Sequence, residues 1–256
     1  MSPAQPLGDP DPGGETIAVI DFETTGMAPA QGARATEIAA VLVRGGAIVG
    51  QYQSLMHSGV RIPPFIEQLT GISNAMLRSA PPAEQVMREV ANFTRGCPLV
   101  AHNASFDRGF WLAERERAGC PVTLPVPVPG GPAPVTDPAG AFACTVLLSR
   151  RLYPDAPNHR LGSLARWHHL PDQGRAHRAL ADALTTAHLL LRIQQDVSDR
   201  FSAELADQPV DHGLLAALQR ASKDQLARCV LRHLRSQAAS SPPLTKGADG
   251  ISSGVG

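Results

Sequence analysis

The chain has 256 residues, of which 43% are hydrophobic and only 4% aromatic, so any core must be built chiefly from Ala, Leu and Val. A formal net charge of zero excludes a global basic field that gathers nucleic acid. No apolar run approaches the roughly 20 residues that a membrane-crossing helix needs. The four cysteines (Cys97, Cys120, Cys144, Cys229) contain no C-x-x-C pair that would mark a zinc site.

Residues 1–14, with four Pro, three Gly and no apolar stretch, are expected to be a disordered leader rather than a secretory signal. Widely spaced thiols fit a reduced, cytoplasmic protein. The run TIAVID, Thr16 to Asp21, predicts a buried strand. Two more strands, Thr36 to Val43 and Ala47 to Met56, flank Gly45-Gly46, a pair suited to a tight hairpin. Pro81-Pro82 opens a helix reaching about Thr94, because Val86, Val90 and Phe93 fall on one face. A short strand over Pro98 to Ala101 precedes an amphipathic helix from Ser105 to Ala118, capped by Ser105. Residues 119–140 hold seven Pro and four Gly, which suits a surface loop and no regular element.

Order resumes as a strand over Phe142 to Leu148, then short helices near 161–169 and a longer one from about Arg178 to Gln195. The succession implies an α/β fold, a mixed sheet with helices on its faces. Leu214, Leu215, Leu218, Leu226, Val230, Leu231 and Leu234 then recur at near-helical spacing. They predict a helix or helical pair outside the main fold, a C-terminal helical appendage over 198–237 following a domain of 15–197. Residues 238–256 are expected to form a disordered tail.

Three short stretches carry chemistry. Asp21 and Glu23 close the first strand, and alternation points both to one side while Phe22 points to the other. Two adjacent carboxylates repel, and a shared hard cation relieves them. In His102-Asn103-Ala104-Ser105-Phe106-Asp107 the aspartate falls on the first turn of a helix, where the dipole also favours it. In His177-Arg178-Ala179-Leu180-Ala181-Asp182 the separation of five places His177 in the loop or first turn. Asp182, an acid amid Ala and Leu, needs a partner.

The order D-x-E, H-N-x-x-F-D, H-x-x-x-x-D resembles the DEDDh (DnaQ-like) 3'–5' exonuclease family. PPFIEQLTGIS at 63–73, LYPDAPNHRLGSLA at 152–165 and HRALADA at 177–183 agree with it, and the likeness covers about 16–195. DFETTG and HRALADA look most similar to the proofreading epsilon subunit of bacterial DNA polymerase III and its stand-alone relatives.

The resemblance implies a ribonuclease H-like sheet on which Asp21, Glu23, Asp107 and Asp182 converge to hold two divalent cations, Mg²⁺ or Mn²⁺. Like charges about 4 Å apart cost roughly 4 kcal/mol per pair at an effective dielectric of 20, which is why the cations are needed. It makes His177 the general base, with His102 outside the family's base position. It places Thr24, Leu69, Thr70, Asn103 and Phe106 near the terminal nucleotides. Arg150, Arg151, Arg160, Arg166, Arg175 and Arg178 form a basic stretch that either tracks a phosphate backbone or is a solvated face. The implied substrate is a single-stranded 3' end of DNA, degraded to nucleoside 5'-monophosphates in proofreading or repair. An exoribonuclease of the same superfamily and a non-catalytic nucleic-acid-binding module are the alternatives. The leucine face of 211–234 is expected to dock on a polymerase or other protein, or back onto the domain.

Overall fold

The computed structural model describes residues 14–122 and 141–240. The expected leader up to residue 13, the Pro-rich loop from 123 to 140 and the tail from 241 lie outside the described residues.

Five strands form one sheet in the order β3-β2-β1-β4-β5. Strands β1 (Ile17–Thr24), β2 (Ala35–Arg44) and β3 (Ala47–Leu55) form an antiparallel meander. Gly45 and Gly46 turn the β2–β3 hairpin with φ of 55° and 78°, the two positive values that such a tight turn requires. Strand β4 (Leu99–Ala101) runs parallel to β1, and β5 (Phe142–Cys144) runs parallel to β4 at the edge.

Alternation along β1 feeds two cores. Ile17 and Val19 join Ala39, Val41, Val43, Val100 and Ala143 on one face. There they meet α5 (Thr145–Leu152), α6 (Leu161–Trp167) and α7 (Ala179–Arg200). Ala18, Ile20 and Phe22 join Ile38, Ala40 and Leu99 on the other, beneath α3 (Ala83–Phe93) and α4 (Ala104–Arg117). The segment 64–78, to which periodicity assigns no element, folds as two short helices, α1 (Pro64–Thr70) and α2 (Asn74–Arg78).

Three expectations need correction. Helix α4 starts at Ala104 and no side chain caps it, so Ser105 lies inside the first turn instead. The residue at the cap is Asn103, left-handed at φ 66°, which bends the chain sharply out of β4 and is a conformation asparagine tolerates. The strand expected over Phe142 to Leu148 ends at Cys144, because β4 offers only three residues for pairing, and Thr145 begins α5.

The third concerns the C-terminal helices. They form, as α8 (Ser202–Leu205), α9 (His212–Leu218) and α10 (Leu226–Ser240), the last running into the segment expected as tail. They do not stand outside the fold but dock back onto the domain, the second of the two placements expected for their leucine face. Leu205, Val210, Leu214, Leu215, Leu218, Leu226 and Val230 belong to the same core as Ile17 and Leu190. Gln219 accepts from the Cys144 N–H at 2.7 Å and donates to the Phe142 carbonyl at 3.1 Å, so its amide occupies the open edge of β5. His212 bonds the Leu99 carbonyl at 2.9 Å through Nε2, and its backbone N–H donates to Glu15. A β-strand edge with unpaired groups invites foreign strands, and this packing blunts it.

Candidate active site

The site opens where β1 and β4 part. Their ladder ends at Val19 and Val100, and β1 continues beyond it with Asp21 and Glu23. Crevices at the carboxyl ends of parallel strands are where α/β folds bind ligands. These two acids continue the Ile17–Val19 row, so they face α7. Asp107, in the first turn of α4, comes from the other side of the sheet, and its Oδ1 accepts the Phe22 N–H at 3.2 Å. Asp182, in the first turn of α7, accepts the backbone N–H of His177 at 3.1 Å. Ligand atoms of Glu23, His177 and Asp182 all lie within 4.8 Å of one another. Asp21, Glu23, Asp107, Asp182 and His177 line one cleft of about 240 Å³.

Crowding the acids changes their proton affinity. Burial, with repulsion from Asp107, Asp182, Glu23 and Glu37, holds the Asp21 carboxyl well above the usual carboxylate range. Burial first, then Asp182 and Glu37, pushes Glu23 up to about 8, partly offset by Arg178. Asp107 rises to about 7 by burial, against the pull of the Phe22 N–H. Asp182 is raised for the same reason. A buried cluster of oxygen donors that strains to lose its protons fits hard divalent cations, which supply the missing positive charge.

These shifts carry a stability consequence. The folded chain binds more protons than the unfolded chain up to the raised values of Asp107 and Glu23, so stability without cations falls as pH rises through that range. Buried histidines such as His102, lowered to about 4 chiefly by burial, contribute with the opposite sign below their ordinary 6.5. The window from about pH 7 to about pH 8.5 therefore isolates the acids. We expect the melting temperature in chelator to drop by several degrees across it, and Mg²⁺ to raise it more at the upper end. Thermal melts with and without Mg²⁺ check this; an equal Mg²⁺ increment at both ends contradicts it.

The residues expected at the terminal nucleotides separate. Thr24, Leu69, Thr70 and Phe106 line the cleft. Leu69 is exposed on its rim, as is Met27 at 78% accessibility. Phe106 also packs on Phe110 at 5.0 Å between ring centroids, so it serves core and cleft together. Hydroxyls of Thr24 and Thr70 are engaged internally, with the Gly26 carbonyl and with Ile66 and Ile72. Asn103, exposed and left-handed at the strand-to-helix corner, does not line the cleft. His102 lines it but is held at 2.9 Å by the Thr145 hydroxyl. The arginine stretch also divides: Arg178 binds Glu37 and Arg151 binds the Leu147 and Ala221 carbonyls, while Arg150, Arg160, Arg166 and Arg175 are exposed. The guanidinium of Arg175 rests over Gly71, where a Cβ would come within 2.6 Å of Nη1.

One acid escaped the reading of the sequence. Glu37 on β2 sits directly opposite Glu23 in register and is fully buried. A lone carboxylate inside the apolar strand ATEIAAVLVR was the available signal, since a buried acid requires a partner.

The RNase_T model, described as exonuclease, matches residues 18–190. The chain is 37% identical over 179 residues to the 3'–5' exonuclease DinG of Bacillus subtilis, covering 70% of this chain and 18% of that protein. It is 34% identical over 186 residues to the PolC-type DNA polymerase III of the same organism, covering 73% of this chain and 12% of that protein. The chain thus spans less than a fifth of either relative. Among solved structures it resembles exonuclease X in complex with 5' overhanging duplex DNA, with a TM-score of 0.52, 25% identity, and coverage of 84% of this chain and 99% of that one. The nuclease domain of 3'hExo, a DEDDh family member bound to rAMP, shares the fold at a TM-score of 0.56 and 20% identity, over 73% and 94% of the two chains.

Proposed function

The chain belongs to the exonuclease family, and from that premise we propose that it is a 3'–5' exodeoxyribonuclease that removes nucleoside 5'-monophosphates from single-stranded 3' ends. The observation that carries this reading is the meeting of four carboxylates from β1, α4 and α7 beside His177 in one open cleft. Asp21, Glu23, Asp107 and Asp182 would hold two divalent cations, Mg²⁺ or Mn²⁺, which when bound supply Lewis acidity and a more acidic water.

His177 takes a proton from the attacking water, its imidazole lying within reach of Glu23 and Asp182. Its exposure at the cleft mouth keeps the ring open to solvent, to which it passes the proton on. Water adds at the terminal phosphorus and the bond to the upstream 3'-oxygen breaks. That oxygen takes a proton from solvent as it leaves as the new 3'-hydroxyl, and the nucleotide departs with its phosphate. Leu69, Phe106 and Met27 give the terminal base an apolar rim, and such contact is indifferent to sequence.

DNA is favoured as substrate by the kinship with a PolC-type DNA polymerase III and the likeness to exonuclease X in complex with DNA. The RNA reading draws on a shared fold with 3'hExo bound to rAMP and with a 3'-exonuclease that recognises a histone mRNA stem-loop. The kinship with a DNA polymerase supports the proposed role in proofreading or repair and a polymerase as the proposed partner. Its contact would not use the leucines of 214–230, which are spent on the chain's own core. Among the described residues no helix is long and apolar enough to cross a membrane.

The test is incubation of the protein with matched 5'-labelled single-stranded DNA and RNA, in Mg²⁺ and in chelator, beside Asp21→Ala. A cation-dependent ladder shortening from the 3' end of DNA, absent in the variant, is expected. A ladder chiefly on RNA moves the protein to RNA turnover, and degradation of neither leaves a binding module.

A further inference from the structure

Glu37 and Arg178 lie beside the proposed chemistry without belonging to it. The Arg178 guanidinium grips the Glu37 carboxylate with Nη2 at 2.8 Å and Nε at 3.1 Å, a two-pronged ion pair. The Ala179 N–H donates to the same carboxylate at 3.0 Å, and the Gln53 amide at 2.7 Å. Glu37 is fully buried, while a third of the Arg178 side chain is exposed. Two consecutive residues, 178 and 179, are thereby fastened to β2. The residue immediately before them is His177.

His177 sits at φ 61°, a left-handed conformation that a side chain with a Cβ seldom adopts. Such a backbone persists only where its surroundings impose it. On one side Asp182 receives the His177 N–H. On the other the Glu37–Arg178 clamp fixes the chain. With both in place, the ring comes within 4.8 Å of Glu23 and Asp182 although its residue is exposed and the stretch from 171 to 178 has no helix or strand.

We propose that Glu37 and Arg178 are positioning residues that hold His177 in its reactive pose, an inference resting on the reading of His177 as proton acceptor. Charge pairing serves the same end. Glu37 faces Glu23 across the β1–β2 ladder, and like charges directly opposite destabilise a sheet. Arg178 satisfies Glu37, so Glu23 remains free to face the cleft.

The pair acts through another residue, so its signature lies in how its loss combines with the loss of His177. Arg178→Lys keeps the charge but abandons the fork, and Glu37→Gln keeps the shape but abandons the charge. Each is expected to lower kcat on a 5'-labelled single-stranded DNA by about 10- to 100-fold, since small misplacements of a reacting group cost that much. KM is expected to stay within about twofold, because neither residue lines the cleft. In a His177→Ala background, read under single-turnover conditions with enzyme in excess, either substitution is expected to cost nothing further.

The same fold-loss in both backgrounds overturns the proposal, as does an unchanged kcat in both single variants. Thermal melts accompany each variant. If Glu37→Gln fails to fold, Arg178→Lys carries the test from the more exposed side; if neither folds, the pair holds the fold rather than the pose and the proposal fails. A wild-type chain that shortens neither DNA nor RNA sinks the exonuclease reading itself. An active wild type with additive losses sinks only the clamp.

Discussion

Asp107→Ala is expected to lower the 3'–5' exonuclease rate by at least ~10³-fold, because a cation ligand is worth several kcal/mol of transition-state stabilisation and each 1.4 kcal/mol is tenfold. Asp107 is 2% exposed and anchored by the Phe22 N–H, so its carboxylate is held in place from within the fold. Charge and shape are separated by Asp107→Asn. The amide oxygen still accepts from Phe22, but the negative charge is gone, and the same loss of rate is expected. The two variants should diverge in stability. Alanine leaves the Phe22 N–H without its partner and melts earlier, whereas asparagine removes a buried charge that repels Asp21 and should melt no earlier than wild type in chelator. Single-turnover digestion and thermal melts read both effects. A residual rate above a tenth of wild type in Asp107→Asn would remove Asp107 from the proposed cation site.

Truncation after Leu205 is the second large effect, and it falls on the fold instead of the chemistry. The cut removes Val210, Leu214, Leu215, Leu218, Leu226 and Val230 from a core that also holds Ile17, Val100 and Leu190. At roughly 1.5–3 kcal/mol per buried aliphatic side chain, even a discounted sum rivals the ~5–15 kcal/mol by which a domain is stable. Cooperative unfolding is expected to disappear, with dye-binding apolar surface exposed. Leu215→Ala is the graded version: fully buried, it is expected to cost ~2–5 kcal/mol and lower the melting temperature on the order of 10 °C. A truncated chain that melts cooperatively within a few degrees of the full one contradicts the packing described.

The α/β fold was legible because its elements announce themselves locally. TIAVID, the Gly-Gly hairpin and the Val86–Val90–Phe93 face each follow one period, and the strands and helices stand within a few residues of where those periods put them. Long-range packing was not legible. The spacing of Leu214, Leu215 and Leu218 declares an apolar face but not what covers it, and the face meets the domain's own sheet. Asn103 and Ser105 show the limit at short range. Serine is the better cap by preference, yet the strand-to-helix corner demanded a left-handed residue, and asparagine supplied it. All four cleft acids sit in short motifs legible in the sequence, whereas Glu37 meets Arg178 across 141 positions. Nothing local ties those two together; only the register of β1 against β2 and the docking of α7 do.

The Gln219 amide that fills the β5 edge also sets an order of events during synthesis. Asp182 completes the acids of the cleft, but the residue that seals the sheet lies 37 positions later, and His212, which reaches back to Glu15 and Leu99, comes between them. At about 5–20 residues per second, a nascent chain spends about 2–7 s with its acids translated and its sheet edge unsealed. Until Gln219 is made, the Cys144 N–H and the Phe142 carbonyl have no partner, and the core lacks the leucines that complete it, so closure of this sheet is expected to come late in synthesis.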